Sequence, residues 1–179
     1  TEAVADLSEF WSGQRKITLL DANILACPDW KRLLGQLADS GATVDFTQGL
    51  DIRLITPEKV KALNKVKTKM LHFAWDNPED DLTPYFRKFS DLTSVKDYRK
   101  RRVYVLTNYG STQEQDLYRI YTLREMGYEP FVMVYEKPTA PPETRKLQRW
   151  VNNKWLFHAV PDFKDYDPTR YAKGKTKEK

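Results

Sequence analysis

An α/β fold with a parallel sheet and outer helices is what this sequence predicts, on three observations. Short apolar runs alternate with helix-period segments five times along the chain. Most of the intervening segments carry helix-start or helix-stop residues at the expected places. The segments joining successive strands are long enough for crossovers, which parallel pairing requires and a hairpin does not. Crossovers of this kind are right-handed almost without exception. Two architectures satisfy the pattern: an open doubly wound sheet, and a barrel or partial barrel.

The elements follow in order. The first strand runs from about Lys16 to Leu20 and ends in Asp21. A helix over Trp30 to Asp39 places Trp30, Leu33, Leu34, Leu37 and Ala38 on one face, and Gly41 follows as its stop. A second strand covers Thr43 to Phe46. Thr56 is positioned to cap the next helix, with Pro57 at its first position. The third strand spans Met70 to Ala74. Asn77 and Pro78 predict a helix start of the same kind, with Pro84 as a possible kink. A fourth strand covers Val103 to Leu106. The segment from Ser111 to Tyr128 is the clearest helix, with Ser111 and Glu114 at capping-box spacing and Gly127 as the stop. The fifth strand covers Phe131 to Tyr135, and a last helix lies near Glu143 to Val151. Residues 1–157 are expected to form one domain and 158–179 an extended C-terminal tail.

Composition narrows the function classes. A hydrophobic fraction of 40% with 31% charged residues describes a soluble globular chain rather than a disordered one. No apolar run reaches the roughly 20 residues that cross a bilayer, so no membrane partner is expected. The single cysteine, Cys27, excludes an internal disulfide, fits a reducing cytoplasm and cannot by itself hold a zinc ion or an iron–sulfur cluster. It reads as a small buried hydrophobe. His72 and His158 are too far apart to suggest a metal pair. Neither a GxGxxG nor a GxxxxGK[ST] phosphate loop occurs. The net charge of +5 owes much to the Arg99–Arg102 run and the terminal lysines. Those read as a surface loop and a solvated end, with nucleic-acid contact the minor alternative.

In parallel α/β folds the carboxyl ends of the strands carry function. Asp21 and Asn23 follow the first strand; Gln48, Asp51 and Arg53 follow the second; Trp75 and Asp76 end the third; Thr107, Asn108 and Tyr109 the fourth; Tyr135 and Glu136 the fifth. The stretch TQGLDIR is the densest, with an amide, a carboxylate and a guanidinium beside Gly49. Asp51 and Arg53 can pair with each other, or hold the charged ends of an amino-acid-like ligand. Alternation within MLHFAW sets His72 opposite Leu71 and Phe73, as an interior or barrel-facing histidine.

The segments LLDANIL, VDFTQGLDIRLI, LHFAWDNPED and VYVLTNYG, taken in this order from Lys16 to Tyr135, resemble the radical S-adenosylmethionine superfamily. The resemblance implies a partial (βα) barrel, here with about five parallel strands and outer helices. It also implies two cofactors, S-adenosylmethionine and a [4Fe–4S] cluster, which together generate a 5′-deoxyadenosyl radical. Asp21 and Asn23 then fall near the methionyl amino group, and Gln48, Asp51 and Arg53 where cofactor or substrate is contacted. Asn108, Tyr109 and Tyr135 fall on the adenine side. The CxxxCxxC cluster loop of that family is absent. The resemblance therefore implies a C-terminal fragment, inactive alone, whose first strand and cluster loop precede Thr1. The missing N-terminal segment would be its partner, and an open edge at the first strand would favour a homodimer. The competing reading is a non-catalytic regulatory or nucleic-acid-associated domain, with Arg99, Lys100, Arg101 and Arg102 on one basic face beside Tyr98 and Tyr104.

Overall fold

A computed structural model describes residues 5–20 and 23–171. Five strands, β1 (Lys16–Leu19), β2 (Thr43–Phe46), β3 (Thr68–Ala74), β4 (Arg101–Thr107) and β5 (Glu129–Val134), form one all-parallel sheet in consecutive order. The helices are α1 (Trp30–Asp39), α2 (Pro57–Leu63), α3 (Thr83–Leu92), α4 (Gln113–Glu125), α5 (Pro142–Asn152) and α6 (Lys154–Ala159). The α/β expectation holds, and the consecutive strand order sets aside the doubly wound alternative. The sheet is not closed, since β1 and β5 do not pair.

Consecutive order with right-handed crossovers puts the helices between strands, α1 to α4, on one face. The packing agrees. Val44, Phe46, Leu71, Phe73, Val103 and Val105 are buried with Leu34 and Leu37 of α1, Val60 of α2, Phe86 and Phe89 of α3 and Leu123 of α4. Val132 of β5 anchors a second cluster with Ile120, Leu147 and Trp150. The alternate strand positions face the other way. There Asp45, His72, Tyr104 and Phe131 form a row across β2 to β5, on the face that no helix covers.

The two outer strands differ. At β5 the side chain of Asn152 imitates a neighbouring strand: Val132 N donates to its Oδ1 at 2.8 Å, and its Nδ2 donates to Val132 O at 2.9 Å. This blocks the edge. Strand β1 pairs only with β2, and its Ile17 and Leu19 are half-buried where the other strands bury theirs fully.

Several local expectations need correction. Pro78 does not open a helix. Asn77 Oδ1 instead accepts from Glu79 N in a turn, and Pro84 starts α3 rather than kinking it. The capping box of α4 is Thr112 with Gln115, one residue later than predicted. Strand β4 begins at Arg101, so half of the basic run lies inside the sheet. Residues 154–166 fold rather than trail away: Leu156, Phe157, Phe163 and Tyr166 are buried with Trp150. Arg124 of α4 holds this segment, with its guanidinium over the rings of Tyr121, Trp150 and Phe157 and a bond to Pro161 O.

Gly127 ends α4 for a definite reason. Its φ of +72° lets Gly127 N bond Arg124 O and Tyr128 N bond Leu123 O, the paired bonds of a Schellman stop. A Cβ there would also lie 2.8 Å from Nη2 of Arg101, which stacks on Tyr128.

Candidate functional site

A cavity of about 340 Å³ lies at the carboxyl ends of the first strands, near the small end of the range for ligand sites. Asn23 enters it from β1, the segment from Gln48 to Arg53 from β2, and Asp76, Asn77 and Asp80 from β3. Tyr104 of β4 and Ala74 of β3 reach it from the helix-free face. Four of the residues singled out in the sequence, Asn23, Gln48, Asp51 and Arg53, are thus brought together. Asp21 lies outside the described residues.

The loop after β2 is shaped by Gly49. Its φ of +97° turns the chain so that Leu50 N bonds His72 O at 2.8 Å, extending the contact between β2 and β3. A Cβ on Gly49 would stand 3.6 Å from the His72 carbonyl oxygen, an ordinary contact, so the positive φ and not a close approach calls for glycine here. Asp51 N then donates to Asn23 Oδ1 at 3.5 Å, a long bond linking the first two loops.

Asp51 and Arg53 choose each other. Arg53 Nε and Nη2 reach the two carboxylate oxygens, each at 2.9 Å, and Arg53 N adds a third bond. The side-chain bond to Arg53 holds Asp51 below its ordinary pKa, and the same bond raises Arg53. Arg53 is exposed and Asp51 only half-buried, so the net stabilisation of the pair is small. Asp76 is the carboxylate that sequence reasoning noted only as a strand end. Desolvation at the cavity wall pushes its carboxyl up, opposed by the Leu106 backbone and the charge of Arg119, although the residue as a whole stays exposed.

Arg119 is the buried support of this wall. From α4 its Nη1 donates to Trp75 O at 2.7 Å and Asp76 O at 3.0 Å, and its Nη2 to Leu106 O at 2.9 Å and Asp116 Oδ1 at 2.5 Å. One guanidinium thereby joins the carboxyl ends of β3 and β4. Nothing in the local sequence marks it, because all its partners except Asp116 and nearby Gln115 are distant in the chain.

The remaining predicted residues form a separate group. Asn108, at φ +61°, donates from Nδ2 to Tyr135 O at 2.9 Å, and the rings of Tyr109 and Tyr135 meet edge to face at 4.9 Å. These follow β4 and β5 and do not line the cavity.

Below the cavity, on the helix-free face, His72 stacks on Tyr104 with centroids 5.6 Å apart. Its Nε2 lies 3.4 Å from Asp45 Oδ1, while Lys69 bonds the other oxygen at 2.9 Å. Burial lowers the His72 pKa, against the pull of Asp45. Cys27 is buried, 1% exposed, as a packing residue. Among the described residues no three His, Cys, Asp or Glu side chains converge as a metal site. No described helix is long and apolar enough to cross a membrane.

The four residues of the basic run do not share a face. Arg99 is tied to Asp97, and Arg101 is buried against Tyr128 and Ser90. Arg102 pairs with Glu129 over Phe131 on the helix-free face. No protein-family model, curated protein or solved structure matches the chain.

Proposed function

We propose that this chain is the S-adenosylmethionine-holding part of a radical S-adenosylmethionine enzyme, with the cluster ligated by residues outside it. The observation that carries the reading is the cavity that gathers Asn23, Gln48, Asp51 and Arg53 at the carboxyl ends of β1 and β2. Its charge suits the ligand. Asp51, Asp76 and Asp80 stand against Arg53 alone, so the lining favours a cation. S-adenosylmethionine is one: a sulfonium and an ammonium outweigh its carboxylate. The amides of Asn23 and Gln48 and the Tyr104 ring complete a mixed polar and apolar wall.

The residues do not fit the cluster. Cys27 is the only cysteine and is buried, so the residues of this chain cannot by themselves hold a cluster. Its own contribution is to bind and orient the cation and to hold that ligand at the open end of the sheet. The consecutive parallel order, with helices on one face and β1 unpaired at its outer edge, supports the partial-barrel part of the reading.

The coding sequence upstream of Thr1 tests it. A CxxxCxxC motif about one strand–helix unit before Lys16 is the expected finding. A start codon directly before Thr1 would overturn the reading.

A further inference from the structure

We infer that the amino-terminal ends of the strands, opposite the cavity, form a binding surface for single-stranded nucleic acid. The first observation is charge. Arg15 and Lys16 lead into β1, Lys65 and Lys67 into β3, and Lys100 into β4; all five are exposed and form no ion pair with a described carboxylate. Two backbone bonds and one side-chain bond link the starts of neighbouring strands. Thr43 N bonds Arg15 O, Val44 N bonds Lys67 O, and Lys100 Nζ reaches Thr68 O at 3.5 Å. At about 4.8 Å per strand, the row from β1 to β4 runs for roughly 15 Å.

Helix C-termini also lie at this end and attract cations, which accounts for part of the row. They do not account for the second observation. Where the row meets α6, an open cavity of about 530 Å³ is lined by Tyr98, Arg99, Glu129, Lys154, Trp155 and His158. Trp155 is 66% exposed, and Tyr98 is exposed beside the His158 ring at 5.1 Å. Large exposed rings beside cations are what base stacking with phosphate neutralisation requires. Two acids moderate the charge here: Asp97 holds Arg99, and Glu129 holds Lys154 and Arg102. The rings of Trp155 and Tyr171 meet edge to face with centroids 5.8 Å apart, and the sequence that follows carries four lysines and one glutamate.

A duplex would keep its base faces stacked and leave Trp155 and Tyr98 unused, so a single strand is the favoured partner. Fluorescence anisotropy of labelled dT20 tests this, with a 20-bp duplex and polyglutamate as competitors. Binding is expected with a dissociation constant of about 10⁻⁶ to 10⁻⁴ M. Five phosphate contacts give a log–log salt slope near −3.5, so going from about 50 to 200 mM salt weakens binding by roughly a hundredfold. Trp155→Ala is expected to weaken binding about tenfold. The pair Lys67→Glu and Lys100→Glu is expected to flatten the slope by about 1.4. Lys31→Glu, in the first turn of α1 at the opposite end, is expected to leave binding unchanged. No binding at the lower salt, an unaltered affinity in Trp155→Ala, or equal competition by duplex or polyglutamate would overturn the inference. None of these readouts depends on the S-adenosylmethionine cavity.

Discussion

Arg119→Met removes the guanidinium that ties the carboxyl ends of β3 and β4 to α4. Arg119 and Asp116 are both fully buried, and burial is the main influence on each, lowering the arginine and raising the aspartic acid from their ordinary pKa values. Each charge is therefore held against its preference for water and tolerated because the other is beside it. Deleting one partner of such a pair costs about 3–5 kcal/mol, since the other is left buried and uncompensated. The carbonyls of Trp75, Asp76 and Leu106 lose their donor as well, at about 1 kcal/mol each toward the low end. A loss of about 6–8 kcal/mol would consume much or all of the 5–15 kcal/mol that typically holds a domain folded. Urea unfolding followed by circular dichroism measures it. The double variant Arg119→Met with Asp116→Leu should recover about 3–5 kcal/mol, because the stranded charge is gone while the orphaned carbonyls remain. A single variant that loses less than about 1 kcal/mol, or a double variant no more stable than the single, would refute this reasoning.

Two further predictions concern the helix-free face and the blocked edge. His72 has its pKa lowered by burial, so the folded protein resists protonation that the unfolded chain accepts below about 6.5. Its contribution to stability is complete above that pH and is lost as pH falls toward the folded value. An imidazole NMR titration should find the pKa below 6.5, and His72→Gln should flatten the stability difference between pH 5.5 and 7.5 (on the order of one unit either side of that reference). A pKa above 6.5 would mean that Asp45 outweighs burial. Asn152→Ala leaves the buried Val132 amide without its bond and its carbonyl with only the 3.2 Å bond from Gln148, and should cost about 1–3 kcal/mol. An unchanged urea midpoint would show that this edge needs no cover.

The fold was legible where local chemistry and tertiary packing agree. The α1 and β2 bounds follow from the apolar stripe of α1, the stop at Gly41 and the short apolar run after it. Legibility failed where a distant partner decides. Arg101 and Arg102 read as a loop because the basic run directly precedes an apolar strand; Tyr128, Ser90 and Glu129 are the distant partners that let them join it. The segment from His158 read as a tail because of its Pro, Asp and Lys content, and Arg124 of α4 holds its start through Phe157 and Pro161. At the site, Gln48, Asp51 and Arg53 could be found because they crowd one loop. Asn108, Tyr109 and Tyr135 were grouped with them because each ends a strand, yet the loops after β4 and β5 do not reach the cavity, which β4 enters only through Tyr104 in mid-strand. Tyr104 carried a usable signal: alternation along β4 places it on the same face as His72, two strands' ends from the loops it completes.

The central claim is that the cavity at the carboxyl ends of β1 to β3 holds S-adenosylmethionine. Its most direct measurement is isothermal titration of S-adenosylmethionine into the polypeptide as its gene encodes it, isolated anaerobically with iron and sulfide supplied. Wild type should bind. Gln48→Ala and Asp76→Asn should each weaken binding by about tenfold, the loss of roughly one hydrogen bond to a charged group. Tyr109→Ala, outside the cavity, should not. Failure of the wild type to bind, or equal affinities across all four proteins, would contradict the claim.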